Sequence, residues 1–344
     1  MPTLSNDRDS TRHGQIGELP VFYAPAYTTS ACDFDTTRKA TWVATSLRRR
    51  PISGVVLIEP APLTQANLQA VHDPAYVDSV RRGEPRELAE SSGLEWDEHV
   101  WDAVCASNGG AVAAAKKAWH SRMNTGSLSS GLHHAAASRG KGFCTFNWLA
   151  LAAREVLDAG AGRVLIVDLD AHCGGGTYSI VQHWPAVVHL DISVSRFDGY
   201  RVVDHGTHST LDYVTEARQY LPTLRERLAD LGDLEIEVVI YNAGVDPHQQ
   251  CQIGGLAGIT DAILAEREQI VFDWARARRV PVAFVLAGGY VGGRLCEEAL
   301  VGLHRLTVAT AALGNAEPAL GKKSIGNLAT TSNAKTPSRS DFVE

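Results

Sequence analysis

Three features of this 344-residue chain predict an α/β three-layer sandwich around a mostly parallel central sheet. Short, solidly apolar runs recur at 21–23, 54–58, 164–167, 187–192, 238–241 and 280–286. Runs of this kind, bounded by Gly, Pro or Asp, suit strands covered on both faces. Helical patterns fall between them at 35–47, 97–119, 146–159, 211–231, 260–278 and 294–313. With 44% hydrophobic and 21% charged residues, the chain can also bury a large core.

In chain order, the strand at 21–23 leads to the helix at 35–47, and the strand at 54–58 leads to the long helix at 97–119. The helix at 146–159 delivers the chain to adjacent strands at 164–167 and 187–192, then the helix at 211–231. Strands at 238–241 and 280–286 alternate with helices at 260–278 and 294–313. This alternation implies right-handed crossovers, and no repeat of about 20 to 50 residues suggests a solenoid or propeller. Residues 1–18 and 315–344 lack periodicity and read as tails around one domain, 19–314.

Lys+Arg 32 against Asp+Glu 39 leaves a net charge of −7, and no basic cluster exceeds Arg48-Arg49-Arg50. A phosphate-tracking nucleic-acid surface is not expected. The six cysteines are scattered without a CxxC pair, which fits reduced thiols in a cytoplasm better than a disulfide scaffold. Neither a leader-like apolar segment nor a run of 18 apolar residues is visible, so no membrane partner is expected. A homo-oligomer stays open.

Ligands in open sheets bind beyond the carboxyl ends of the strands, and four polar clusters fall there. Asp168, Asp170 and His172 follow an apolar strand at spacings of two, which in extended chain puts them on one face. Carboxylate and imidazole groups so placed can share a zinc ion, although a solvated strand end is the plain alternative. His133 and His134 suit acid–base work near neutral pH, or a surface loop. Tyr290, after Gly288-Gly289, is placed either to donate to an oxyanion or to pack as a core aromatic. The fourth cluster is Asp246-Pro247-His248 with Cys251.

Taken in order, Gly131-Leu132-His133-His134-Ala135, Gly142-Phe143-Cys144, Val167-Asp168-Leu169-Asp170-Ala171-His172, Ala243-Gly244-Val245-Asp246 and Ala287-Gly288-Gly289-Tyr290 resemble the zinc-dependent histone deacetylase family, which includes acetylpolyamine amidohydrolases. The resemblance runs from about Phe22 to Leu313, with His72-Asp73-Pro74-Ala75-Tyr76-Val77 contributing a further stretch. It implies the arginase-deacetylase fold and a zinc-dependent hydrolase that cleaves an N-acyl amine, such as an acetylated polyamine, acetyl-lysine or a small N-acyl metabolite.

By position, Asp170 and His172 match two zinc ligands, and His133 and His134 match the tandem acid–base histidines. Asp168 matches the carboxylate orienting His133, Tyr290 the oxyanion-stabilising tyrosine, and Gly142 and Phe143 the wall of the acyl channel. A structural monovalent cation, potassium or sodium, is implied near Asp168, Asp170, His172 and Ser193. The resemblance places the third zinc ligand at Cys251, where thiolate would replace carboxylate; the alternative is a merely buried cysteine, with Asp246 or water completing the metal shell. Gly175 falls where many members carry the acid partner of the second histidine, which leaves His134 without one. Neither the His-Pro entry motif nor the Pro-Gly-Thr-Gly loop is present. Two competing readings follow: a family member that binds or scaffolds without turnover, and a two-metal manganese ureohydrolase. The second is disfavoured because Cys173, not an acid, follows His172.

Overall fold

The computed structural model describes residues 17–30, 35–203 and 206–316. Eight strands form one sheet: β1 (Leu19–Phe22), β2 (Val55–Ile58), β3 (Thr125–Ser127), β4 (Val164–Asp168), β5 (Val187–Ser193), β6 (Thr210–Tyr213), β7 (Val238–Asn242) and β8 (Val282–Val285). Their order is β2-β1-β3-β8-β7-β4-β5-β6, and every pairing is parallel. Ten α-helices surround it: α1 (Asp35–Arg49), α2 (Gln65–Gln69), α3 (Pro74–Arg82), α4 (Arg86–Ala89), α5 (Val100–Ser121), α6 (Trp148–Asp158), α7 (Gly175–Val181), α8 (Ala217–Asp230), α9 (Asp261–Arg278) and α10 (Glu297–Ala316).

The period-2 alternation of a strand sorts each apolar run into two cores. Leu165, Val167, Val239, Tyr241, Val282 and Phe284 face the layer that includes Val43 of α1, Leu224 of α8, Val271 of α9 and Val308 of α10. Val164, Ile166, Val238, Ile240, Ala283 and Val285 face the layer of Val77 of α3, Val112 of α5 and Leu149 of α6. Both faces are dry, which is why these strands show unbroken hydrophobicity.

Two strands depart from expectation. Residues of β6 fall in the pattern read as the start of the helix at 211–231, but that helix begins only at Ala217. Strand β3 carries no hydrophobic side chain, yet it is wholly buried. Its hydroxyls bond to backbone, Thr125 Oγ1 donating to Ala114 O (2.6 Å) and Ser127 Oγ to Phe22 O (3.2 Å). Gly126 is required because a Cβ there would lie 2.2 Å from the Phe284 ring. Helix α10 runs through Ala316, past the expected boundary at 314, and Asn315 Nδ2 donates to Glu18 O (3.0 Å). The rest of the expected tails, 1–16 and 317–344, lies outside the described residues. No helix among those described is long and apolar enough to cross a membrane.

Candidate metal and acid–base site

The segments after β4, β7 and β8, neighbours in the sheet, meet at its carboxyl edge. Beyond β4, the backbone turns so that His172 N–H donates to Asp170 Oδ1 (3.0 Å), with His172 Nδ1 3.1 Å from the same oxygen. Beyond β7, Asp246 Oδ1 accepts the Ala171 N–H (3.0 Å), which fixes this carboxylate against the β4 segment. Its other oxygen lies 3.2 Å from His172 Nδ1, is buried, and has no hydrogen-bond partner. Donor atoms of Asp170, His172 and Asp246 all lie within 4.8 Å of one another. Gly288, after β8, permits this approach, since a Cβ there would lie 2.1 Å from Asp246 Oδ1.

Burial and the charge of Asp170 push Asp246 up to about 6. Burial also opposes ionisation of Asp170, but His133 and His172 outweigh it and hold that carboxyl well below the usual range. His172 is raised to about 10, with Asp170 and Asp246 overcoming its burial. Two buried carboxylates this close call for a cation, supplied by His172 when it is protonated, or by a metal ion to which the neutral ring is a ligand. Two aspartates and one histidine match the donor types and number of a catalytic zinc site.

The expected third ligand, Cys251, is not in this group, and Asp246 stands in its place. The chain folds back after Asp246, with His248 N–H donating to Val245 O (3.2 Å) and Cys251 N–H to His248 O (2.8 Å). That turn directs the thiol to Ile253 O (3.3 Å) and toward Tyr290 O (3.9 Å). Burial and the nearby Asp246 push the thiol up to about 12, so a thiolate is disfavoured.

The tandem histidines lie against each other, ring centroids 4.0 Å apart. His133 Nδ1 is 2.8 Å from Asp168 Oδ2, and Asp168 Oδ1 accepts from Asn242 Nδ2 (2.8 Å). His134 does have an acid partner, contrary to expectation: its Nδ1 is 2.9 Å from Asp198 Oδ2. Asp198 comes from the loop after β5, in left-handed conformation (φ 59°), and its carboxylate also accepts from Gly176 N–H (3.2 Å) and pairs with Lys141. Gly175 leaves the space, since a Cβ there would lie 2.3 Å from Asp198 O and 2.8 Å from its carboxyl carbon.

The two imidazoles differ in charge. Burial disfavours the cation on His133, but Asp168 and Asp170 overcome it and raise the group to about 10. Burial and the positive His133 push His134 down to about 4 against the pull of Asp198. At neutral pH the pair is one cation and one neutral ring. Asn147 braces their loop, its Nδ2 donating to Ala135 O (2.9 Å) and Thr177 Oγ1 (3.0 Å) while its Oδ1 caps α6. His72 holds the same region, with Nδ1 3.0 Å from Ala136 O and Nε2 accepting the Asn147 N–H (3.0 Å).

His133, His134, Asp170, Gly142 and Tyr290 line one cavity of about 20 Å³. Tyr290 is half-buried there, and Phe143 faces the adjoining apolar cavity. Phe197, 46% exposed, stands edge-on to His134 (5.0 Å) and His172 (5.9 Å) and narrows the approach. Lys39, buried on α1, lines the same cavity and donates to Gly288 O. Burial lowers it to about 8 despite the attraction of Asp246 and Asp170. Sequence reasoning offered Asp246 only as the alternative to Cys251, and missed Asp198, Lys39, Asn147 and Phe197. A carboxylate directly after the β7 segment was the available signal for Asp246.

The signature of the histone deacetylase domain matches residues 34–304. The chain belongs to the histone deacetylase family. It is 34% identical over 239 residues to an uncharacterized protein of Picosynechococcus sp., spanning 67% of this chain and 78% of that protein. It is 29% identical over 271 residues to Histone deacetylase 2 of Arabidopsis thaliana, spanning 72% and 67% of the two chains. Among solved structures, the HDA15 HD domain superposes with a TM-score of 0.73 at 20% identity, covering 88% of this chain and 92% of that one. The acetylpolyamine aminohydrolase of Burkholderia pseudomallei gives 0.72 at 20% identity, covering 86% and 98%. The fold is thus that of the histone deacetylase family, and family membership supports a deacetylase-type hydrolase.

Proposed function

We propose that this histone deacetylase family member is a zinc-dependent amidohydrolase that cleaves an N-acyl amine, with Asp170, His172 and Asp246 holding the metal. The observation that carries the reading is the geometry: tandem His133 and His134, each with its Nδ1 on a carboxylate, line one cavity with Asp170 of the Asp170–His172–Asp246 donor group. A zinc ion bound by those three residues supplies Lewis acidity toward the acyl carbonyl and lowers the pKa of an attacking water. His134, its Nδ1 proton directed to Asp198, accepts the water proton at Nε2. His133, kept charged by Asp168, donates to the departing amine. Tyr290 donates its hydroxyl to the oxyanion of the tetrahedral intermediate. Relatives named for histone and acetylpolyamine substrates make acetyl-lysine and acetylated polyamines the first classes to assay. Five free cysteines among the described residues agree with work in the reducing cytoplasm.

The test assays metal-depleted protein with and without one equivalent of zinc against acyl-lysine peptides and acylated polyamines. Zinc should restore hydrolysis, and Tyr290→Phe should retain the metal while lowering kcat by about 10²-fold. Hydrolysis of neither class by protein carrying one zinc would contradict the proposal.

A further inference from the structure

Helix α9 carries a fully buried ion pair, Arg267 and Glu268, that no step of the proposed reaction uses. Arg267 donates from Nε (3.0 Å) and from Nη2 to Glu268 Oε1, which also accepts from Tyr241 Oη (3.1 Å). The other arm of the guanidinium points away from the pair. Its Nη1 donates to Gly244 O, reaches Leu169 O (3.5 Å) and lies 3.4 Å from Tyr220 Oη, which itself donates to Leu169 O (3.4 Å).

Both carbonyls belong to the segments that carry the metal donors. The parallel ladder between β4 and β7 ends at Asp168 and Asn242. On one side Leu169 comes next and directly precedes Asp170; on the other, Gly244 lies midway between Asn242 and Asp246. The two segments touch there, since a Cβ on Gly244 would lie 2.4 Å from Asp170 Cα. At the site itself they are tied by the Ala171 N–H donating to Asp246 Oδ1 (3.0 Å). Arg267 ties them a second time, through their backbone, from helix α9.

Stability does not account for the pair. Taking two charges out of water costs about as much as their attraction returns, and apolar residues of similar volume commonly serve as well. What an apolar residue cannot supply is a planar fork that holds a carboxylate with one arm and backbone carbonyls with the other. Resting on the zinc reading, we infer that Arg267 is a positioning residue of the metal site, a clamp that sets the separation of the Asp170 and Asp246 segments before the metal binds.

The experiment compares the parent protein with Arg267→Lys and with a double variant, Arg267→Met with Glu268→Gln. The double variant removes both charges together and leaves Tyr241 an acceptor, so no buried carboxylate is left uncompensated. Arg267→Lys keeps the cation but replaces the fork with a single ammonium, and it serves should the double variant fail to fold. Zinc affinity is measured by competition with a chelator, and amide exchange is measured in the metal-free proteins. Both variants should bind zinc about 10- to 100-fold more weakly, the usual effect of losing a group that supports metal ligands. Exchange over 168–173 and 243–248 should quicken by about tenfold, while β5 and β8 keep the parent rates. Zinc affinity within about twofold of the parent and unchanged exchange in both segments would overturn the clamp and leave the zinc reading standing. Acceleration spread evenly over the sheet would show a general packing role and would also overturn it. A parent that binds no zinc, with acceleration confined to the two segments in the variants, would overturn the zinc reading and leave the clamp standing.

Discussion

The two histidines of the tandem pair are served by carboxylates of different origin. Asp168 ends the central strand β4, is fully buried, and is held by Asn242 of the neighbouring strand. Asp198 comes from a loop, is stabilised by Lys141 on the surface, and reaches His134 only because residue 175 has no side chain. The strand-borne partner keeps its histidine charged. The loop-borne partner is outweighed by burial and by the first histidine, and its ring stays neutral. The strand-borne carboxylate sets the charge of its histidine, and the loop-borne one orients its ring.

Removing the strand-borne charge should break this arrangement most. Asp168→Asn removes the largest support for charged His133 and leaves only Asp170 to oppose burial, so kcat should fall by about 10² or more, while KM for a short acyl substrate changes little. A loss under threefold would show that His133 needs no charge. Asp198→Asn retains an acceptor for His134 Nδ1–H, so a loss of about tenfold is expected. Because the support for protonated His134 is gone, the acid limb of the kcat profile should also move to lower pH; movement upward would contradict the assignment. Lys141→Met, which only weakens the hold on Asp198, should cost about threefold or less.

Much of the fold is legible in the sequence because both faces of the sheet are covered, so six of its strands declare themselves as apolar runs. Strand β3 does not, since its small polar residues satisfy their hydroxyls on backbone and leave room for Phe284. Edge strand β6 is only half-buried and merges with the helical pattern that follows. In the site, residues close in sequence such as Asp170 and His172 can be read from spacing. Asp198 could not be, because it depends on a left-handed loop residue and a vacancy at Gly175, 23 positions before it. The choice between Cys251 and Asp246 was not legible, because counting residues along a loop does not reveal which side chain the turn carries inward; the donor group contains Asp246.

Acid stability gives a smaller and independent effect. His72 is pushed down to about 4 by burial, whereas in the unfolded chain it titrates near 6.5. Between these values the unfolded state binds the extra proton, so stability is fully present above about 6.5 and is lost as pH falls toward 4, by about 3 kcal/mol for this group. Urea unfolding of His72→Asn should show a shallower dependence between pH 7 and 5 than the parent protein, even though its stability at pH 7 is lower. An unchanged slope would remove His72 from this account.

In the proposed metal site Asp246 is the third donor and Cys251 stands outside it. Zinc stoichiometry after dialysis against a weak chelator tests it directly in the parent protein, Asp246→Ala and Cys251→Ala. About one zinc per chain is expected in the parent and in Cys251→Ala, and little in Asp246→Ala. Zinc lost from Cys251→Ala and retained by Asp246→Ala would contradict it.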